Sequence, residues 1–196
     1  DGMVDLTEQE AWGLELFEGK GLCSLCHPSQ PGPGGEPPLF TDFTFDNVGL
    51  PINPQNPFYD MDEVYLDDGS PINPLGDEWI DYGLGRFLQT MPEYASMAED
   101  TMGQHKVPAL RNVAKAPGNN YPKAYMHNGV FKSLAEVVHC SNTRDVDGAG
   151  WDGVPWAEPE VSANINTDEL GDLGLTVEEE EAIVAFMKTL SDGYDD

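Results

Sequence analysis

Two cysteines separated by two residues, with a histidine directly after the second, constrain this chain more than any other feature. They are Cys23, Cys26 and His27. At this spacing each thiol can form a thioether with a haem vinyl group while the imidazole binds the iron, so the pattern predicts one covalently attached c-type haem. Half of a zinc site and a redox-active dithiol are the alternatives. Zinc would need further ligands at short spacing, and the remaining cysteine, Cys140, stands alone.

The charge of the chain limits its partners. Among 196 residues, 9 Lys and Arg stand against 36 Asp and Glu, a formal net charge of −27. This charge disfavours nucleic acid and anionic lipid, and it favours a redox partner protein with a basic docking surface. A surface adapted to high salt is the alternative, and composition leaves both open. The apolar runs are only a few residues long, so we expect no membrane span.

The motif also bears on location and size. Haem is attached to c-type cytochromes outside the cytoplasm, so we expect a processed mature chain that is periplasmic or otherwise exported in a bacterium. Cys140 is then expected to be a buried, inert thiol. The length fits one cytochrome c domain over residues 1–196, in which the haem adds a large apolar body to the core.

Helix starts are marked by three caps. The capping-box pattern Thr-x-x-Glu occurs at residues 7–10 and again at residues 176–179. The first predicts a helix over residues 8–18, and the second predicts a final helix ending near residue 193. Ser133 can cap a further helix that continues to residue 139. The first and last of these helices are expected to cross and close the haem pocket.

The remaining sequence is rich in turn-forming residues. Residues 28–74 and 142–175 are dense in Pro, Gly, Asn and Asp, which predicts two long ordered loops. Aromatic residues within the first loop are expected to pin it onto the haem edge or the helices. A shorter loop is predicted at residues 117–122.

Five stretches, in this order, carry a resemblance to a known family. They are residues 23–27 (CSLCH), 40–49 (FTDFTFDNVG), 106–113 (KVPALRNV), 125–134 (YMHNGVFKSL) and 182–190 (AIVAFMKTL). Together they resemble the C-terminal haem domain of bacterial di-haem cytochrome c peroxidases and their MauG-like relatives. The resemblance implies an all-α, cytochrome c-like fold around one covalently bound haem c, with long Pro/Gly-rich loops and His27 as proximal iron ligand.

The resemblance also implies two further haem contacts. It puts Arg111 and His127 near the haem, where both could hydrogen-bond its propionates. The alternatives are a surface ion pair for Arg111 and an ordinary loop histidine for His127. The family carries a second haem motif in an N-terminal domain that holds the peroxide-reactive iron. The present sequence contains one such motif, which disfavours peroxidase chemistry by this chain alone.

The sixth iron ligand departs from the family pattern. The family takes it from a Met or Tyr at the position that is Ser141 here, and a serine is a poor ligand. Because a thioether is the usual partner of histidine in electron carriers, Met126 is our first candidate and Met102 our second. His139 and Cys140 are further alternatives, as is an iron with no protein ligand on that side.

These features lead to a functional hypothesis and its alternatives. We expect a soluble mono-haem cytochrome c that transfers single electrons, rather than a stand-alone peroxidase. The alternative is a haem enzyme or ligand binder with an open sixth position. A third interpretation is a subunit that supplies its haem to a partner carrying the rest of a peroxidase-like system.

Overall fold

The fold combines a few helices with two very small sheets. The computed structural model describes residues 5–116 and 123–192. Within them lie four α-helices: α1 (Glu8–Glu18), α2 (Gly83–Gln89), α3 (Leu134–Thr143) and α4 (Val177–Met187). Short 3-10 helices occupy Cys23–Leu25, Pro57–Asp60, Gly76–Glu78, Ala95–Met97 and Glu99–Thr101. The loop predicted at residues 117–122 lies outside the described residues.

The strands form two antiparallel pairs. Strand β1 (Phe45–Asp46) pairs with β2 (His105–Lys106), and β3 (Gly150–Trp151) pairs with β4 (Val154–Pro155). The first pair joins chain segments about sixty residues apart, with Asp46 opposite His105. The second is a local hairpin.

The all-α, cytochrome c-like fold expected from the sequence is therefore wrong as a description of this chain. Strand pairs, turns and irregular loops, together with the four α-helices, make up the described residues. The physical reason lies in composition, because 16 prolines and 21 glycines interrupt helical hydrogen bonding and favour turns. The all-α expectation came from the resemblance to the family, whereas the composition itself predicted long loops over residues 28–74 and 142–175.

The crossing of α1 and α4 forms the main core. Both predicted capping boxes are confirmed, and α1 has the predicted bounds. Helix α4 ends at Met187, short of the predicted residue 193. Gly13 allows the close approach, because a Cβ at that position would overlap the backbone carbonyl of Ala182. The core around this contact is apolar and includes Phe17 and Ile183, which are 1% and 0% exposed.

Buried asparagines hold the loops. Asn47, Asn53, Asn73 and Asn142 are all buried, although asparagine is usually exposed. The Asn73 amide nitrogen donates to the carbonyls of Phe58 and Gly76, at 2.9 Å each. In these loops, side-chain amides thus provide hydrogen-bond partners for backbone groups that would be paired with neighbouring strands in a sheet.

Only some of the aromatic rings in the first loop are buried, although the sequence predicted that they would pin the loop. Phe40 and Tyr59 are buried, whereas Phe43 and Phe45 are exposed. Phe40 packs edge-to-face on Phe17 and Phe186 of the main core. The first loop is therefore anchored by selected rings and by its asparagines together.

Helix α3 begins as predicted and ends later. The Ser133 hydroxyl accepts from the Glu136 amide at 3.1 Å, but the helix continues to Thr143 rather than to residue 139. Ser141 consequently lies within the helix. Its hydroxyl donates to the Val137 carbonyl at 3.0 Å.

The described helices are short. Over residues 5–116 and 123–192, none combines the length and apolar character needed to cross a membrane.

Candidate haem site

The motif begins where α1 stops. After the helix, Leu22 adopts a left-handed conformation and Cys23–Leu25 form a single 3-10 turn. The His27 amide donates to the Cys23 carbonyl at 2.9 Å, which holds the histidine directly beside that turn. Gly21 lets this turn lie against the core, since a Cβ there would be 3.0 Å from Ile183 Cδ1 and 3.4 Å from Cys23 Sγ. The motif therefore rests on the crossing of α1 and α4.

The two motif thiols form no disulfide, and both have a raised pKa. None of the three cysteines, all of them described, forms a disulfide. Burial raises the pKa of Cys23 to about 12. Burial raises the pKa of Cys26 to about 12 as well, assisted by the negative charge of Glu169, whose Oε2 is 3.6 Å from the sulfur. A reactive dithiol needs a stabilised thiolate, so these surroundings disfavour that alternative.

A carboxylate pair lies beside Cys26. Cys26, Asp46 and Glu169 offer ligand atoms within 4.8 Å of one another. The Asn166 amide nitrogen donates to both carboxylates, at 2.7 Å to Asp46 and 2.8 Å to Glu169. This shared donor holds the two acidic side chains together.

His27 is oriented for metal ligation. Its Nδ1 lies 2.7 Å from the Phe40 carbonyl, and because a carbonyl can only accept, Nδ1 carries the proton. The lone pair is then on Nε2, the arrangement found in metal-binding histidines. Burial lowers the pKa of His27, which keeps the ring neutral. Two free thiols and one neutral, oriented imidazole are a donor set that fits a covalently bound haem.

Phe40 carries a conformational cost at this contact. It is one of the non-glycine residues with positive φ, at 55°, and its side chain is buried. Such a conformation costs on the order of 1 kcal/mol and persists where the surroundings enforce it. Here the position of the Phe40 ring is fixed by packing on Phe17 and Phe186, and its carbonyl is directed at His27.

The structure places Arg111 in an ion pair. Its Nε donates to Asp192 Oδ1 at 2.8 Å, and Asn112 donates to the other carboxylate oxygen. The hydrogen bond from Asn112 and then that from Arg111 lower the pKa of Asp192. This contact ties residues 111–112 to the end of the described chain. The role of Arg111 at a haem propionate stays a prediction.

His127 lies among other ligand-type residues. It occupies the turn between Tyr125 and Phe131 and stacks on His105 at 3.5 Å between ring centroids. Asp81 lies beside the same pair. Burial of the ring face, followed by the charge of His105, lowers the pKa of His127 to about 4. The pairing of these residues was not expected from the sequence, and the predicted propionate contact of His127 stays a prediction.

The candidates for the sixth ligand are spread over several environments. Met126 has a φ of 70° and packs on a second apolar cluster that includes Phe131 and Cys140. Cys140 is 3% exposed, which confirms that it is buried, and burial raises its pKa to about 12. The Met102 backbone packs against Gly85 of α2, and His139 Nδ1 contacts Glu180 at 2.9 Å. Iron ligation by Met126 or Met102 stays a prediction.

Similarity to known proteins extends along nearly the whole chain. No protein-family model matches the sequence. The methylamine utilization protein MauG of Paracoccus denitrificans is 32% identical over 198 residues, covering 97% of this chain and 44% of MauG. The cytochrome-c peroxidase IdrP1 of Denitromonas iodatirespirans is 30% identical over 182 residues, covering 91% of this chain and 39% of that protein.

Solved structures give the same result. The di-haem peroxidase BthA of Burkholderia thailandensis matches with a TM-score of 0.66 and 27% identity over 97% of this chain and 44% of BthA. The chain thus spans less than half the length of the relatives it matches. In sequence and in fold, this chain is related to haem proteins, and it resembles the di-haem cytochrome c peroxidases and MauG-like proteins.

Proposed function

We propose that the chain carries one haem c, bound through Cys23 and Cys26, and that it transfers single electrons to or from a redox partner. The observation that carries this proposal is the hydrogen bond from His27 Nδ1 to the Phe40 carbonyl, which leaves Nε2 as a fixed ligand atom. When bound, the haem supplies a one-electron couple at its iron.

The protein groups around His27 suit electron transfer. The Phe40 carbonyl fixes one orientation of the imidazole, and edge-to-face contacts among Phe17, Phe40 and Phe186 hold that carbonyl in place. A rigid support keeps the ligand geometry similar in both oxidation states, so little reorganisation accompanies the transfer. The relatives support a haem protein and include both MauG and peroxidases.

An enzyme or ligand binder with an open sixth position is the second candidate, and one contact favours it. The Ser141 hydroxyl is bonded to the Val137 carbonyl of its own helix. The position that the resemblance assigns to the ligand is thus a short side chain directed along α3. In that case the chain would react with peroxide or bind a small ligand, alone or beside a partner haem subunit.

Spectroscopy of the oxidised, haem-loaded chain separates the two candidates. Low-spin haem bands with the weak far-red band of thioether ligation support the electron carrier. High-spin bands that shift when cyanide or peroxide is added would support the open site and overturn the carrier. If Met126 is the ligand, Met126→Ala converts low-spin bands to high-spin, whereas Met102→Ala leaves them unchanged.

The partner of the electron carrier is proposed to be basic. The net charge of −27 would steer a positively charged protein to the surface. Association with a basic redox protein should slow steeply as the Debye length falls from about 30 Å at 0.01 M salt to about 8 Å at 0.15 M. Rates independent of salt would leave only a surface adapted to a saline medium.

The proposed location is the bacterial periplasm or cell exterior. It follows from the covalent attachment of haem that Cys23 and Cys26 predict. Fractionation of cells expressing the natural gene, followed by haem staining of each fraction, tests it. Staining confined to the cytoplasm would contradict it.

A further inference from the structure

Three side chains of the types that bind metal ions lie close together, and they come from segments of the chain far in sequence from the haem motif. Asp81 precedes α2, His105 lies on β2, and His127 lies in the turn between Tyr125 and Phe131. Each offers one ligand atom, and the three atoms lie within 4.8 Å of one another. These residues define the histidine–aspartate cluster.

The central histidine has a nitrogen without a hydrogen bond. Nδ1 of His105 lies 3.0 Å from the Gly103 carbonyl and therefore carries the proton. Nε2 is buried and, among the residues that the structure describes, has no hydrogen-bond partner. It lies 3.3 Å from Asp81 Oδ2, but the geometry is not that of a hydrogen bond. With the proton on Nδ1, the Nε2 lone pair lies beside the Asp81 carboxylate, and a cation bound to both atoms would satisfy the unpartnered nitrogen.

The carboxylate is held in place for such a cation. Asp81 Oδ1 accepts from the Gly83 amide at 3.0 Å, which leaves Oδ2 directed at His105. The Asp81 amide in turn donates to Glu160 at 2.9 Å. Gly83 has a φ of 53°, and a Cβ there would overlap the Gln104 carbonyl and lie 3.0 Å from His105 Cε1. Only glycine allows Asp81 and His105 to approach so closely.

The third side chain is exposed, so its ring has room to turn towards an ion. His127 is exposed, and its ring lies parallel to His105 with an angle of 6° between the planes. One ion cannot lie in the planes of two parallel rings 3.5 Å apart, so the His127 ring must tilt out of the stack to bind. The remaining coordination positions would then face solvent.

We propose that His105, His127 and Asp81 bind one divalent transition-metal ion of the zinc and copper class. Two imidazoles and one carboxylate are ligands that such ions prefer over calcium or magnesium, which favour oxygen. The fixed pair, His105 and Asp81, binds first, and the exposed His127 closes on the ion. The proposal does not rest on the electron-transfer function, although it uses His127, which the resemblance also puts near the haem.

Metal titration of the full, haem-loaded chain tests the proposal. After chelator treatment, Zn²⁺ is titrated calorimetrically, and Cu²⁺ binding is followed by electron paramagnetic resonance. We expect one ion per chain in addition to haem iron, with copper hyperfine structure from two imidazole nitrogens. His127→Ala should remove one of those nitrogens, and Asp81→Asn should weaken zinc binding by at least about tenfold.

The chain offers a matched control in its other histidine–carboxylate pair. His139 contacts Glu180 at 2.9 Å without a third ligand in the described residues, so His139→Ala should leave stoichiometry and affinity unchanged. Since His127 is exposed, His127→Ala tests the site without disturbing the core, and circular dichroism monitors folding independently of the haem. Unchanged binding in both His127→Ala and His105→Ala, or loss of binding in His139→Ala, would overturn the proposal.

Discussion

The haem attachment motif and the histidine–aspartate cluster are built in opposite ways. Cys23, Cys26 and His27 are nearly contiguous in sequence and rest on two crossing helices whose contact is apolar. Asp81, His105 and His127 come from three segments and are positioned by hydrogen bonds and ring stacking. A contiguous motif can be recognised before the fold is known, whereas a dispersed one appears only when the loops are folded.

Removing the two motif thiols should have the largest effect, because it should abolish haem attachment while leaving the histidine–aspartate cluster intact. Cys23→Ala with Cys26→Ala abolishes covalent attachment, because no thioether can form, so haem staining disappears from a denaturing gel. Cys140→Ala, at the buried third cysteine, should retain the stain. Zinc binding at the histidine–aspartate cluster should survive in the double variant if it remains folded. Persistent covalent haem in that variant would refute the assignment of the motif.

The helix crossing beneath the motif should be the next most sensitive point. A Cβ in Gly13→Ala would overlap the Ala182 carbonyl, so the helices must separate, at a cost of about 3 kcal/mol in free energy of unfolding. Denaturant unfolding measures it. Glu15→Ala, an exposed position on the same helix, should change the free energy by less than about 0.5 kcal/mol. Equal effects of the two substitutions would show that the crossing is not tight.

The loop region should depend on polar contacts instead. Asn73→Ala leaves the carbonyls of Phe58 and Gly76 and the Leu75 amide without a buried partner, which should cost about 2–3 kcal/mol. The free energy of unfolding is again the measurement. Gln55→Ala, an exposed amide in the same loop, is the control and should be nearly neutral. A neutral Asn73→Ala would mean that water or apolar packing, rather than the amide, holds this loop.

The parts of the fold that could be predicted are those specified by local sequence. The caps at Thr7, Ser133 and Thr176 marked their helices because capping depends on residues three positions apart. The end of α3 was missed because Asn142, a poor helix former, is stabilised there by bonds to Leu175 and Glu180 in the distant chain.

The unpredicted parts of the site depend on long-range contacts. His27 was identified from its neighbours in sequence, but its hydrogen bond to Phe40 spans thirteen residues of irregular chain. Asp81 gave no sequence signal, since a single acidic residue among 36 Asp and Glu is unremarkable in a chain this acidic. The short strand pair that brings His105 next to Asp46 was too brief to show an alternating pattern.

The smallest expected effect is the pH response of the histidine–aspartate cluster in the metal-free protein. Burial of the ring face, followed by the charge of His105, lowers the pKa of His127 from 6.5 to about 4. The unfolded chain therefore binds more protons between those values, so stability falls as pH drops from about 6.5 to 4. Because His127 is exposed, solvent screening limits the loss to less than about 1 kcal/mol.

Two measurements on metal-free protein check this response. The His127 ring titration, followed by nuclear magnetic resonance, should give a pKa near 4, and His105→Gln should raise it by removing the second cause of the shift. His127→Gln should flatten the dependence of unfolding free energy on pH between 6.5 and 4. A His127 pKa near 6.5 in the native protein would mean that the ring is neither buried nor held against His105 in solution. The His127 ring would then already lie outside the stack, as metal binding requires, and the contrast with the rigid attachment motif would become sharper.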